Sequence, residues 1–297
     1  MNMDASSSVS KGSARTPGPR RGLNYKLRTS ILPHIALLFF AVIFLFPFVW
    51  LFLTSLKTPD EIFELPPRIF PREFQWSNYS AAVEAIPFFR YMLNTFIICF
   101  INIIGQLFAA PLVAYSIARI PWKGRNIIFT IVVATMILPS QVQLIPQYII
   151  FTELGWVNTI VPLTIGAFFG APFFIFLLRQ FLLGIPRELS EAAKIDGASE
   201  LRIYVQIILP LLKPALATVA LFSFIWSYVD FMGPLIYLND SAKWTITVGL
   251  QGFQQDHGAQ WEQLMAAATI MAVPMILLYF FAQKYFMQSG SALTGFK

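Results

Sequence analysis

The sequence contains few charged residues and a single cysteine. Only 12% of its 297 residues are Asp, Glu, Lys or Arg, whereas 57% are hydrophobic and 16% are aromatic. Because soluble globular domains carry about twice that share of charge, the composition excludes an ordinary soluble protein and indicates a polytopic membrane protein. Cys99 is the only cysteine, which excludes an intramolecular disulfide and a cysteine metal cluster.

Sequence patterns for nucleotide binding and for catalysis are also missing. The sequence has no Gly-Lys pair and therefore no phosphate-binding loop of the Gly-x-x-x-x-Gly-Lys-Ser/Thr type. It has no nucleophile elbow, zinc-binding helix or paired acid and base carboxylates, and His34 and His257 lie far apart. We therefore expect a non-enzymatic chain that binds no cofactor or metal of its own and takes its energy from another polypeptide.

Six apolar stretches are about as long as a helix must be to cross a bilayer, which is roughly 20 residues. We therefore predict an all-α polytopic membrane protein with six transmembrane helices. Prolines inside these stretches are compatible with membrane helices, because neighbouring helices satisfy the backbone groups that a kink frees. The predicted spans lie near residues 31–55, 89–118, 126–150, 160–182, 212–238 and 263–285.

The distribution of basic residues predicts the orientation. Of the 21 Lys and Arg residues, 16 fall in the N-terminal tail, the loop after span 2, the polar segment after span 4 and the C-terminus. The positive-inside rule places all four in the cytoplasm, so both termini are predicted to be cytoplasmic. The net charge of +6 is thereby explained by topology and requires no nucleic acid partner.

The regions outside the spans differ in character. Residues 1–30 are rich in Ser, Pro and basic residues without apolar periodicity, so we predict a disordered basic cytoplasmic tail before a transmembrane domain at residues 31–297. The outer loop at residues 57–88 is long enough to have a role of its own. Asp256 and Glu262 lie in the last predicted outer loop.

One polar, charged segment, residues 186–210, separates spans 4 and 5. Pro186 can open a short helix because its missing N–H would be unsatisfied there, and Glu188 and Glu191 suit the first turns. Gly197 can end the helix in the left-handed conformation. The segment therefore predicts a free-standing cytoplasmic helix whose adjacent alanines allow another protein to approach closely.

The sequence at residues 191–199, Glu-Ala-Ala-Lys-Ile-Asp-Gly-Ala-Ser, is followed by Ile-x-Leu-Pro at 207–210 and Lys-Pro at 213–214. This pattern resembles the signature of binding-protein-dependent ABC transporter permeases, in which the segment forms the coupling helix that seats in a cleft of the ATP-hydrolysing subunit. The alternative is an amphipathic connector that happens to hold two alanines. A long motif with flanking prolines at the expected spacing favours the family.

The resemblance implies a docking surface made by Glu191, Ala192, Ala193, Asp196 and Gly197. Glu191 would pair with an Arg or Lys of the ATPase subunit, and the small residues would allow a close fit. The implied fold is that of a type I ABC importer, and the implied partners are a second homologous permease subunit, two ATP-binding-cassette subunits that hold ATP and Mg, and an extracytoplasmic solute-binding protein. The implied location is the cytoplasmic (inner) membrane of a bacterium or archaeon.

Further stretches resemble the second of the two permeases in carbohydrate importers. They are Leu-Asn-Thr at 93–95, Ala-Tyr-Ser-Ile-Ala-Arg at 114–119 and Lys-Gly-Arg-Asn at 123–126. Span 5 departs from the pattern, because residues 228–235 lack two tryptophans and an asparagine that those permeases commonly have. The resemblance implies uptake of a sugar, with an oligosaccharide as the expected substrate.

Asp230 is the only acidic residue predicted inside a span. A charged side chain at the bilayer centre costs roughly 2.5–3.5 kcal/mol or more unless it faces water or a partner, so we expect Asp230 to face a cavity. Asn94, Tyr228 and Phe231 are the other candidates for the translocation path, since aromatic rings stack on sugars and polar groups bind hydroxyls. The alternative for Asp230 is that it caps a kinked helix.

Two other classes of protein remain open from the sequence. An ATP-independent secondary carrier or channel for small polar solutes would usually place several ionisable groups at the midplane, where this sequence has one. A membrane-anchored assembly factor would account for the docking helix but not for Asp230 and the kinked spans.

Overall fold

The computed structural model of the protein describes residues 32–255 and 260–294. The predicted basic tail at residues 1–30 and Asp256 lie outside the described residues. The chain divides into two units, Met1–Trp50 and Leu51–Lys297, and the candidate site lies in the second.

All regular structure in the described ranges is helical, as predicted. The α-helices are α1 (Leu32–Thr54), α2 (Pro59–Ile62), α3 (Ser77–Ala85), α4 (Phe88–Arg119), α5 (Arg125–Thr135), α6 (Ser140–Glu153), α7 (Val161–Thr164), α8 (Pro172–Gly184), α9 (Glu188–Ile195), α10 (Glu200–Ile203), α11 (Leu209–Leu211), α12 (Lys213–Val229), α13 (Met232–Tyr237), α14 (Ile246–Gly249), α15 (Gly252–Gln255) and α16 (Trp261–Thr294). A 3₁₀ helix (Ile165–Phe169) joins α7 to α8, and a π-helix (Tyr204–Ile208) joins α10 to α11.

Four helical segments among the described residues are long and apolar enough to cross a membrane: Leu32–Thr54, Phe88–Arg119, Val161–Gly184 and Trp261–Gln283. Two bent pairs raise the number to six if each pair is one span. The six predicted spans thus correspond to four long helical segments and two bent pairs.

The predicted third and fifth spans are not continuous helices. The third is bent by 99° between α5 and α6. Pro139 lies at this bend with a ψ of 134°, and it interrupts the helix because a proline has no N–H to donate and disfavours helix in the residue before it. The fifth begins before residue 212, with a bend of 75° between Glu200–Leu211 and α12. It also stops at Asp230, whose ψ of 121° ends α12 before α13 begins.

Helix α4 is the centre of the second unit, and it packs against α8, α12 and the 3₁₀ helix at Ile165–Phe169. Small residues allow this close packing: a Cβ added to Gly105 would lie 2.9 Å from the Cβ of Ala167. Ala110 and Ala114 are fully buried in the same core, beside Leu178 of α8. The small-residue stripe on span 2 is therefore a helix-packing surface.

The loop at 57–88, which we predicted on the outer side, is held by a buried carboxylate. Glu61 is 6% exposed, and it accepts hydrogen bonds from the backbone N–H groups of Arg72 at 2.8 Å and Thr58 at 3.2 Å. Burial alone would raise the pKa of the Glu61 carboxyl, but these two amides and the Arg72 charge together lower the pKa below its ordinary value. Glu262, which we predicted in the last outer loop, is buried in the first turn of α16.

Candidate functional site: the coupling segment and a polar cavity

The polar segment between spans 4 and 5 (residues 186–210, the coupling segment) forms the short helix α9, which ends at Ile195 and is followed by Gly197 in the predicted left-handed conformation. The Gly197 N–H donates to Lys194 O at 3.0 Å and the Ala198 N–H donates to Ala193 O at 2.9 Å. Gly197 has a φ of 79°, so this pair of hydrogen bonds is a Schellman motif. Ala193 and Ala198 both pack against the main hydrophobic core, which attaches the C-terminal end of α9 to the membrane domain.

The opposite side of α9 is open. Glu191, Ala192 and Asp196 are exposed, and the Ile195 side chain is 88% exposed. The two adjacent alanines of the motif therefore face different ways, since Ala193 is packed inward and Ala192 is not. The exposed side combines a carboxylate, a small residue and a large apolar residue, a mixture typical of a protein-binding surface.

A hydrogen-bonded cluster joins the coupling segment to α4. The Tyr115 hydroxyl donates to Glu200 Oε2 at 2.9 Å, and Lys194 Nζ lies 2.5 Å from Glu200 Oε1. The ring of Tyr204 packs on that of Tyr115, with centroids 5.1 Å apart. Glu200 thereby connects the last turn of α9 with a buried side chain of span 2.

Arg119 makes a second connection at the same end of α4. Its Nη2 donates to Leu182 O at 2.9 Å and to Ile185 O at 2.5 Å. These carbonyls belong to the end of α8 and the residue after it, where a helix leaves carbonyl groups without intrahelical partners. Arg119 therefore caps α8 immediately before the coupling segment starts.

Tyr115 and Arg119 were predicted only as part of the Ala-Tyr-Ser-Ile-Ala-Arg stretch, and Glu200 was not predicted as a site residue. A basic residue in the last turn of a span is a visible pattern for carbonyl capping, but the carbonyls that it reaches are on another helix. Ser199 precedes Glu200, and its Oγ accepts from the Arg202 N–H at 3.3 Å. This N-cap pattern could have predicted that a second helix starts at Glu200.

The four candidates for the translocation path lie in different surroundings. Asn94 Nδ2 donates to Ala242 O at 3.1 Å and Trp244 O at 3.0 Å. The Tyr228 side chain is fully buried, and its hydroxyl donates to Met271 O at 2.8 Å. Both side chains thus join separate parts of the chain. Phe231 is half-buried at the break between α12 and α13.

Asp230 lies at the same break and has two contacts that stabilise it. Its Oδ1 accepts from the Gly233 N–H at 3.2 Å, so the carboxylate caps the start of α13. Its backbone carbonyl accepts from the Thr247 hydroxyl at 2.7 Å. Of the four candidates, Asp230 alone lines a cavity of about 340 Å³ between α4, α8 and α12.

Comparison with known proteins identifies the class. The model of the family described as the inner membrane component of binding-protein-dependent transport systems matches residues 102–289, well over half of the chain. The protein therefore belongs to this family of transport permeases. The match includes the coupling segment and, apart from Ile98, the residues that line the cavity beside Asp230.

Several curated relatives are similar over most of their length. The chain is 30% identical to an arabinooligosaccharides transport system permease protein of Bacillus subtilis strain 168, over 86% of this chain and 92% of the relative. It is 30% identical to an sn-glycerol-3-phosphate transport system permease protein of Yersinia pestis, over 91% and 96%. It is 28% identical to a diacetylchitobiose uptake system permease protein of Streptomyces coelicolor, over 86% and 92%.

A solved structure has the same fold. A chain from a bacterial ABC transporter involved in the import of the acidic polysaccharide alginate superposes with a TM-score of 0.75 at 24% identity, covering 91% of this chain and all of that chain. The predicted all-α, type I importer fold is thereby confirmed.

Proposed function

We propose that this permease is one of two homologous membrane subunits of an ATP-driven importer that takes up a sugar, most simply an oligosaccharide. Two of the relatives described above are named for oligosaccharide or diacetylchitobiose transport. A separate solute-binding protein would deliver the sugar on the outer side. Two ATP-binding-cassette subunits would bind ATP and Mg and hydrolyse ATP, since this chain has no phosphate-binding loop.

The observation that carries the proposal is the two-sided packing of α9. Its inner side is fixed to the membrane domain through Ala193, Ala198 and the Lys194–Glu200 ion pair. Its outer side exposes Glu191 and Ala192. A helix that is rigidly attached on one side and exposed on the other can transmit the movement of a bound partner to the spans.

We assign α9 to the cytoplasmic side, with both termini, because the basic residues concentrate there. Glu191 would pair with an Arg or Lys in the cleft of the ATPase subunit, with Ala192, Asp196 and Gly197 beside it, whereas Ala193 packs inward against the membrane domain. Closure of the ATPase subunits on ATP would then move α9 and re-pack the spans between inward- and outward-facing arrangements.

The test is the ATPase activity of the full complex in nanodiscs, with and without sugar-loaded binding protein. Truncating one member of a desolvated charge pair costs about 2–5 kcal/mol, so we expect Glu191→Ala to abolish the stimulation by binding protein. Glu84→Ala is the matched control, because Glu84 is exposed in α3 and far from the coupling segment in sequence. Stimulation that persists in Glu191→Ala, or solute flux through the chain without any ATPase subunit, would contradict the proposal.

A further inference from the structure

The cavity beside Asp230 is lined by two rows of polar side chains on neighbouring helices. Helix α4 contributes Asn102 and Gln106, which are four residues apart, and α12 contributes Ser223 and Ser227, which are also four apart. A spacing of four places each pair on one face of its helix. The two polar faces meet at the cavity.

Polar side chains are costly inside membrane spans, and those that occur there are usually functional or paired across helices. Asn102 Nδ2 donates to Leu163 O at 3.1 Å and to Ser227 Oγ at 2.9 Å. Gln106 Oε1 accepts from the Ala171 N–H at 2.8 Å. These bonds fix the side chains, but each uses only part of the hydrogen-bonding capacity of the amide.

The groups around the cavity are complementary to a polyhydroxylated ring. Amides offer both donors and acceptors, and the Asp230 carboxylate is an acceptor that forms strong hydrogen bonds with hydroxyl groups. The cavity wall also includes Trp226, which is 45% exposed as a residue and whose indole stacks on Phe174 at a centroid distance of 4.9 Å. A partly exposed aromatic side chain with hydrogen-bonding groups beside it fits a sugar, which has an apolar face and a hydroxyl rim.

The cavity is small and open to its surroundings rather than enclosed. Its volume of about 340 Å³ lies at the small end of ligand pockets, which span roughly 300–1,000 Å³. It is therefore suited to one unit of a longer solute. Since Asp230 is the only acidic residue in the wall among the residues that the structure describes, its charge would repel an acidic unit and favours a neutral one.

We infer that this cavity is a solute subsite on this subunit, in which Asp230 and Gln106 bind hydroxyl groups of one neutral sugar unit and Trp226 packs on the apolar face of that unit. The inference rests on the proposed importer function and adds to it a direct solute contact by this chain. Asn102 and Ser227 are positioning residues, because their hydrogen bond joins the two walls.

Two isosteric substitutions keep the hydrogen bonds of the fold while changing the cavity. Asp230→Asn retains an oxygen that can accept from the Gly233 N–H, and it removes the charge. Gln106→Glu retains an oxygen for the Ala171 N–H and replaces the amide donor by an acceptor. Asp240→Asn is the matched control, because Asp240 is exposed and its Oδ1 accepts from the Ala242 N–H at 2.9 Å in a similar capping role.

The experiment is ATP-dependent uptake into proteoliposomes that contain the complete transporter and its binding protein. The probe is whichever of tritium-labelled arabinotriose and N,N′-diacetylchitobiose the wild type takes up. We expect Asp230→Asn and Gln106→Glu each to raise the KM for uptake roughly tenfold or more, as for loss of one charge-assisted or buried hydrogen bond. Asp240→Asn should keep the wild-type KM, and all three variants should keep ATPase activity stimulated by binding protein.

The outcomes separate this inference from the proposed function. An unchanged KM in either cavity variant that assembles with wild-type ATPase activity overturns the subsite. If the complex with Asp230→Asn does not assemble, the KM of the Gln106→Glu complex decides whether the subsite exists. If neither variant assembles, the cavity has a role in folding, and the subsite is overturned as well. Absence of ATP-dependent uptake of either probe by the wild type counts against the proposed function instead.

Discussion

The contact between Glu200 and Tyr115 offers a sharp test of how the coupling segment is attached. Tyr115 is 4% exposed, and the Glu200 carboxylate accepts its hydroxyl hydrogen. Glu200→Ala removes that acceptor and leaves a buried hydroxyl unpaired, which costs about 1–3 kcal/mol. The lost ion pair with Lys194 adds at most ~1 kcal/mol, because both side chains are roughly half exposed and solvent screens their attraction.

Two further variants separate the contribution of the hydrogen bond from that of the ion pair to the unfolding free energy lost in Glu200→Ala. Glu200→Gln keeps an oxygen that can accept from Tyr115 and loses only the ion pair, so we expect a loss of at most ~1 kcal/mol. Tyr115→Phe removes the donor and leaves Glu200 paired with Lys194. The double variant of Glu200→Ala with Tyr115→Phe should be less destabilised than the sum of the two single variants, by about 1 kcal/mol.

Two assays are needed. The first is reversible denaturant unfolding of the purified chain in detergent, and the second measures the ratio of ATP hydrolysed to solute imported by the complete transporter. We expect that ratio to rise in Glu200→Ala, because α9 is then less firmly joined to α4. Glu153→Ala is the control, since it removes an exposed glutamate at the end of α6. Strict additivity of the two single variants in the unfolding free energy would refute the argument that this hydrogen bond anchors the segment.

Two other predictions concern the backbone and the outer loop. Gly197→Ala should lower the unfolding free energy by roughly 1–2 kcal/mol, because the φ of 79° at Gly197 is unfavourable for a residue with a Cβ. The control is Gly184→Ala, which should be neutral or slightly stabilising, because Gly184 is the helical last residue of α8 and has open space around it. Equal effects of the two in denaturant unfolding would contradict the Schellman assignment. Because the folded pKa of Glu61 is lowered, its contribution to stability is complete above the unfolded pKa of about 4.3 and is lost as the pH falls through the folded pKa. Thermal unfolding of Glu61→Gln should therefore depend less on pH in the acid range than that of the wild type, and parallel pH profiles would disprove the role of this carboxylate.

The positions of the long helices followed from the sequence because length and apolarity are local properties. The span predicted near residues 89–118 is Phe88–Arg119, and the one near 31–55 is Leu32–Thr54. The size of the bends was not predictable in the same way. Pro139 marks a break in the sequence, but the angle of 99° between α5 and α6 depends on how each half packs against other helices.

The coupling segment and the cavity were predictable from the sequence to different extents. Gly197 and the helix before it were predicted, since capping depends on residues within one turn. The polar rows on α4 and α12 are visible in the sequence as residues four apart, but of the residues that line the cavity only Asp230 was predicted, because a lone charge is the stronger pattern in an apolar span. The partners of Arg119 were not predictable, because they are backbone carbonyls of another helix.

Helix α4 connects the coupling segment with the proposed solute subsite. Asn102 and Gln106 face the cavity, whereas Tyr115 and Arg119 bind the coupling segment and the end of α8. At a rise of 1.5 Å per residue, Asn102 and Arg119 are about 25 Å apart along the helix axis. Because one helix carries both sets of contacts, a tilt imposed at its C-terminal end must also displace one wall of the cavity. Binding of a sugar unit and docking of an ATPase subunit would therefore bias the same movement, which is the reciprocity that coupled transport requires.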